Sequence, residues 1–74
     1  MQLNVKLFAT FREGRFEIAK MERPEGSTIG SLLDDLAIPR PELGFVLVQC
    51  RHAELDHQPA DGDTVSIFPK VGGG

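Results

Sequence analysis

The residues best suited to chemistry in this 74-residue chain fall in two places, and the first is its end, Val71-Gly72-Gly73-Gly74. Three glycines have no side chains to bury or titrate, so the group they can offer is the terminal carboxylate of Gly74. A backbone without Cβ atoms is the thinnest polypeptide, and at about 3.3–3.6 Å per extended residue the stretch from Lys70 onward reaches roughly 17 Å. Such a tail can thread a narrow channel in another protein and deliver its carboxyl there. A frayed end is the alternative that any terminus carries. The second place holds Cys50, His52 and His57. On a strand, Cys50 and His52 share a face and form a nucleophile and base pair, but no third group orients them. His57 with Asp56 and Asp61 offers a metal one imidazole and two carboxylates, a set that in a loop is usually solvated surface. The turn Asp61-Gly62-Asp63 lacks the ligand spacing of a calcium loop. The residues therefore predict no metal, no bound cofactor and no independent active site.

Composition narrows the partners. The chain is 41% hydrophobic and 26% charged, with a formal net charge of −3, which suits one small globular domain. Its eight lysines and arginines are scattered, whereas binding to a phosphate backbone needs a basic patch, so no nucleic acid is expected. The mild acidity favours a basic partner. No apolar run approaches the roughly eighteen residues of a membrane span, and the N-terminus alternates where a signal peptide would be continuously apolar; no membrane association and a cytoplasmic location are expected. A single cysteine excludes an internal disulfide and a cysteine-rich metal site, which makes Cys50 a small apolar filler.

The elements that must position the tail follow from periodicity. Leu3, Val5, Leu7 and Ala9 alternate with Gln2, Asn4, Lys6 and Thr10, predicting a strand with one buried face. After a polar break at 12–15 that suits a hairpin loop, Phe16, Ile18 and Lys20 alternate with Glu17 and Ala19 as a second, antiparallel strand. Ser27 or Thr28 caps a helix whose Ile29, Leu32, Leu33 and Leu36 form one stripe, with Asp34 and Asp35 on the solvated side, and Pro39 and Pro41 end it. The run 45–48 reads as an interior strand and 53–55 as a short edge strand; the turn at 61–63 leads into a last strand, 64–68, with Val65 and Ile67 inward. The order β, β, α, β, short β, β describes an α+β domain of ubiquitin-like, β-grasp type, a mixed sheet with one main helix packed on one face. The domain covers 1–70, and 71–74 is a flexible tail.

Two phenylalanines break the alternation. Phe8 and Phe68 each end a strand on its polar side. If the first and last strands are parallel neighbours, both rings emerge at one end of the uncovered face, beside the departing tail, as a docking patch. The alternative is that a loop or Phe11 covers them.

The opening VKLFATFRE, the helix TIGSLLDDL and the closing DHQPADGDTVSIFPKVGGG together resemble the MoaD/ThiS family of sulfur carriers, most closely the small subunits of molybdopterin synthase. The resemblance runs end to end, and its specific part is the combination of Asp-Gly-Asp turn, strand ending Phe-Pro and terminal glycine pair. It implies a cycle. An ATP-dependent adenylating enzyme (MoeB-like) would activate the Gly74 carboxylate as an acyl-adenylate. A sulfur donor, such as a cysteine desulfurase or rhodanese, would displace AMP to leave a thiocarboxylate. The large subunit of the synthase (MoaE-like) would then accept the tail, and the sulfur would enter molybdopterin. In that scheme Gly74 carries the sulfur, Gly72 and Gly73 fit the channel, and Phe8, Phe68, Pro69 and Val71 contact the partner, while the molybdenum or tungsten never binds this chain. The third glycine also resembles thiamine-pathway carriers, and Phe-Pro-Lys stands where Phe-Pro-Pro is common. Sulfur delivery to the thiamine thiazole and conjugation to lysines as a ubiquitin-like modifier are the alternatives.

Overall fold

A computed structural model describes residues 1–70. Two strands form the first half, β1 (Gln2–Leu7) and β2 (Ile18–Glu22). The helix α1 (Ile29–Asp35) follows, then β3 (Leu43–Val48), the short β4 (Arg51–Ala53) and β5 (Thr64–Pro69). The five strands make one mixed sheet in the order β2-β1-β5-β3-β4. β1 and β5 are its central parallel pair, with Val5 beside Val65 and Leu7 beside Ile67, and the other pairings are antiparallel. This is the β-grasp architecture expected from the sequence. No helix among the described residues is long and apolar enough to cross a membrane.

The core lies between the helix and one face of the sheet. Leu3, Val5, Leu7, Val65 and Ile67 alternate inward from the central strands and meet Ile29, Leu32 and Leu33 of α1, all essentially inaccessible. Phe11 and Ile38 close the ends of this layer. Thr28 caps the helix as expected, its Oγ1 accepting from the Ser31 amide at 3.2 Å. The first two helical amides are satisfied from outside: Ile29 N donates to the His57 carbonyl at 3.0 Å and Gly30 N to that of Leu55 at 2.8 Å. The other end turns through Ala37 at φ 58°, where glycine is usual. The Arg15 guanidinium compensates, donating to the carbonyls of Leu36 (2.9 Å), Ala37 (3.0 Å) and Phe11 (3.2 Å). Asp34 and Asp35, unfavourable beside the negative end of the helix dipole, are paired with Arg40 at 2.8 Å and with Arg23.

Four expectations need correction. β1 stops at Leu7, and Ala9 opens a 3-10 turn (Ala9–Arg12) at φ 52°, exposed instead of inward-facing. That turn buries Phe11 in the core, so Phe11 does not cover the rings of Phe8 and Phe68. β2 begins at Ile18 and not at Phe16, and its register sets Met21 and Ala19 beside Leu3 and Val5 on the inner side, while Ile18 is 62% exposed. Cys50 is no filler. With Gln49 (φ 52°) it forms the two-residue hairpin turn between β3 and β4 at φ 66°, its side chain exposed. Both central residues at positive φ match the right-handed twist of a hairpin, so the turn geometry, and no burial, accounts for its position.

Candidate functional site

Among the described residues the helix α1 packs on the inner face only, and the outer face is aromatic at the end where β5 finishes. The parallel register places Phe8 beside Phe68, as the sequence implied, with Phe8 N donating to the Ile67 carbonyl at 3.2 Å. The rings stack at 4.1 Å between centroids and 11° between planes. A third ring, unforeseen, extends the row: Phe45 pairs with Phe68 across β3 and β5 and stacks on it at 4.5 Å and 14°. Phe68 is thus the middle rung of a three-ring ladder crossing three strands, and Phe45, its end, is 40% exposed. The Arg12 guanidinium lies 5.5 Å from the Phe8 ring centre and is fixed by its Nε bond to the Leu7 carbonyl (2.8 Å) and its pairing with Glu17 (3.2 Å).

The outer face also carries two lysines. Lys6 stands between Ile18 and Ser66, and Lys20 opposite Asn4, all on the outer side by strand parity. Neither lysine has an ion-pair partner among the described residues, whereas Asp34, Asp35, Glu17 and Glu22 all do.

Beside the ladder the chain leaves the sheet. Pro69 pairs with Leu43, and Gly44 is the extra residue of a bulge between Leu43 and Phe45. Proline offers no amide to the ladder of hydrogen bonds, and a bulge is where a strand tolerates it. Gly44 is needed there because a Cβ would fall against the carbonyls of Pro69 and Phe68. Pro69, grouped with the partner contacts in the sequence reading, is buried by the chain itself. The Lys70 amide then donates to the Glu42 carbonyl at 3.1 Å. Val71, Gly72, Gly73 and Gly74 lie outside the described residues.

The other candidate chemistry is not assembled. An open depression of about 300 Å³ lies by Val48, Arg51, His52 and His57, but Cys50 does not line it. His52 sits opposite Leu47 in β4, and His57 serves α1 through its backbone carbonyl. Asp63 and Asp61 are committed to the amides of Ala60 (2.9 Å) and Gln2 (2.6 Å). The described residues contain no group of three or more metal ligands. From Thr64 to Phe68 is roughly 13 Å along β5, so this depression and the ladder are separate places.

Comparison with known proteins agrees with this geometry. The model of the ThiS family matches residues 5–74. No curated protein matches the sequence. Among solved structures, the small archaeal modifier protein 1 of Haloferax volcanii is 27% identical with a TM-score of 0.76, over 95% of this chain and 98% of that one. A putative molybdopterin converting factor subunit 1 from Pyrococcus furiosus is 28% identical, TM-score 0.76, over 96% and 99%. The chain also resembles a protein in a complex of subunits 1 and 2 of the Helicobacter pylori molybdopterin-converting factor, over 100% of both chains with a TM-score of 0.68; at 20% identity that likeness is one of fold.

Proposed function

We propose that this chain, which belongs to the ThiS family, is a sulfur carrier that supplies molybdopterin synthesis from a thiocarboxylate on Gly74. A carboxylate is a poor electrophile. ATP would convert it to an acyl-adenylate with loss of pyrophosphate. The terminal sulfur of a donor persulfide would displace AMP, its C–S bond forming as the acyl C–O bond breaks, and a thiol would then cleave the resulting acyl disulfide, leaving the thiocarboxylate and a disulfide on the donor. No cofactor is held by the folded domain in this scheme; the reactive group is covalent and terminal. The adenylating enzyme and the synthase large subunit supply the catalytic groups, in the cytoplasm, and this chain supplies a docking face and a narrow tail.

The observation that carries the reading is the aromatic ladder at the root of a glycine tail. Three stacked rings on an uncovered sheet face form the kind of preordered apolar anchor that dominates binding energy at protein interfaces. Phe68 is its middle rung, with Phe8 at one end and Phe45 at the other, more exposed end. Gly72 and Gly73 would pass the channel, and Val71 would contact its mouth. The likeness to the Pyrococcus furiosus subunit 1 favours the molybdopterin pathway over thiamine.

The test is genetic. A molybdenum-cofactor auxotroph should be rescued by this chain together with its adenylating enzyme, a thiamine auxotroph should not, and removal of Gly74 should abolish the rescue. The reverse pattern would assign the thiamine pathway. A second reading, conjugation to lysines, draws on the likeness to the archaeal modifier protein, and it predicts Gly74-linked isopeptides in the host proteome, where the carrier reading predicts free or thiocarboxylated chain.

A further inference from the structure

We propose that Gly44 and the Glu42 carbonyl are positioning elements that set the reach of the tail, by fixing the chain at Lys70 instead of releasing it at the end of β5. This rests on the carrier reading, and it adds the place from which the carboxyl is delivered. Three features converge on the same few atoms. The bulge at Gly44 lets the start of β3 close over the carbonyls of Phe68 and Pro69, an approach that any Cβ would block. Pro69, paired with Leu43 across this bulge, is buried. Beyond it, where strand pairing has ended, the Lys70 amide still donates to the Glu42 carbonyl at 3.1 Å.

The consequence is one of length. With Lys70 held, four residues separate the anchor from the Gly74 carboxyl, a span of at most about 14 Å. With the anchor lost, Pro69 and Lys70 join the tail, and its reach grows to roughly 21 Å. The local concentration of a tethered group falls roughly as the −3/2 power of tether length, so lengthening from four to six residues costs about twofold, and loss of the fixed starting direction adds to that. The domain alone would then dock as well as before but present its carboxyl less often to the reacting atom.

Two variants test this. Gly44→Ala opens the contact with Pro69, and Lys70→Pro deletes the amide donor while leaving Gly44 and the ladder untouched; the extended backbone of Pro69 in β5 tolerates a following proline. The first measurement is amide exchange at Lys70, expected to be slowed at least tenfold in the native chain and unprotected in Gly44→Ala. The second is carboxyl adenylation by the host's ATP-dependent adenylating enzyme, read as ATP–pyrophosphate exchange. At saturating carrier the turnover should fall two- to fivefold in both variants, with the Kd for the enzyme changed less than about twofold. A variant that merely unfolds would raise the apparent KM and leave the saturated rate alone. An unprotected Lys70 amide in the native chain, or native saturated turnover in Lys70→Pro, overturns the proposal. If the native chain is itself never adenylated, the carrier reading fails and the positioning role falls with it, whatever the Lys70 amide shows.

Discussion

Replacing Phe68 by alanine removes the middle rung of the ladder and with it both stacked contacts, at 4.1 and 4.5 Å. Each aromatic pair is worth about 0.5–1.5 kcal/mol beyond its buried area, so loss of the two stacks alone destabilises the fold by about 1–3 kcal/mol, and the lost burial of the ring adds to that. For a domain of this size the loss of the stacks alone corresponds to a fall in Tm of about 5–20 °C. If the ladder is also the anchor of the docking face, the same change costs at least about 2 kcal/mol of binding, or roughly thirtyfold in Kd. The two effects can be separated on one strand. Ile67 adjoins Phe68 but points into the core, fully buried, and Ile67→Val should cost about 0.5–1.5 kcal/mol of stability with no effect on binding by the folded protein. Titration calorimetry against the adenylating enzyme and against the synthase large subunit, below the Tm of each variant, gives the comparison. Phe68→Ala binding within about threefold of native while its Tm falls would show that the rings serve the fold alone.

Other consequences are local. Phe45→Ala breaks one stack and should lose about half of what Phe68→Ala loses in stability, about 0.5–1.5 kcal/mol by denaturant unfolding. Gly44→Ala should lower stability by about 1–3 kcal/mol through the forced shift of β3 against Pro69. Arg15→Ala leaves the Leu36 and Ala37 carbonyls at the end of α1 without their donor and should cost about 1–3 kcal/mol, read by urea unfolding. The Met1 amine donates to Glu22 Oε2 at 3.0 Å, and this bond, with the nearby carboxylates of Glu22 and Glu25, raises its pKa above the usual 8.0. Its stabilising contribution is therefore complete below pH 8.0 and lost as pH rises through the raised value, so Tm should decline on the alkaline side, and Glu22→Gln should weaken that decline.

Much of this was legible in the sequence because strict alternation fixes both an element and its faces. Leu3, Val5 and Leu7 against Asn4 and Lys6, and Val65 and Ile67 against Ser66 and Phe68, gave two strands whose misfit phenylalanines could meet only if those strands ran parallel. The stripe Ile29, Leu32, Leu33 likewise defined the helix. Phe45 was hidden for a physical reason: in Phe45-Val46-Leu47-Val48 every position is apolar, so the run carries no record of which face each residue takes. Gly44 just before it was the available signal, since a glycine at the edge of a strand pattern often marks a bulge. The start of β2 was misplaced because the alternation already holds at Phe16, yet the chain enters the sheet only at Ile18, and the register with β1 puts Met21 and Ala19 inside. Cys50 had no local signal at all, as Gln-Cys is an unusual pair for a turn that normally selects asparagine and glycine.

In the proposed function the Gly74 carboxyl is activated and one of its oxygens is replaced by sulfur, while the folded domain only presents it. Intact-mass measurement tests this most directly: the chain is co-expressed with its adenylating enzyme and a sulfur donor, and the C-terminal peptide is sequenced by fragmentation. The expected result is a mass gain of one oxygen-to-sulfur exchange localised to Gly74, absent when ATP binding by the enzyme is disabled. A chain that stays at its unmodified mass with both proteins active, or that gains sulfur at Cys50 instead, would contradict it.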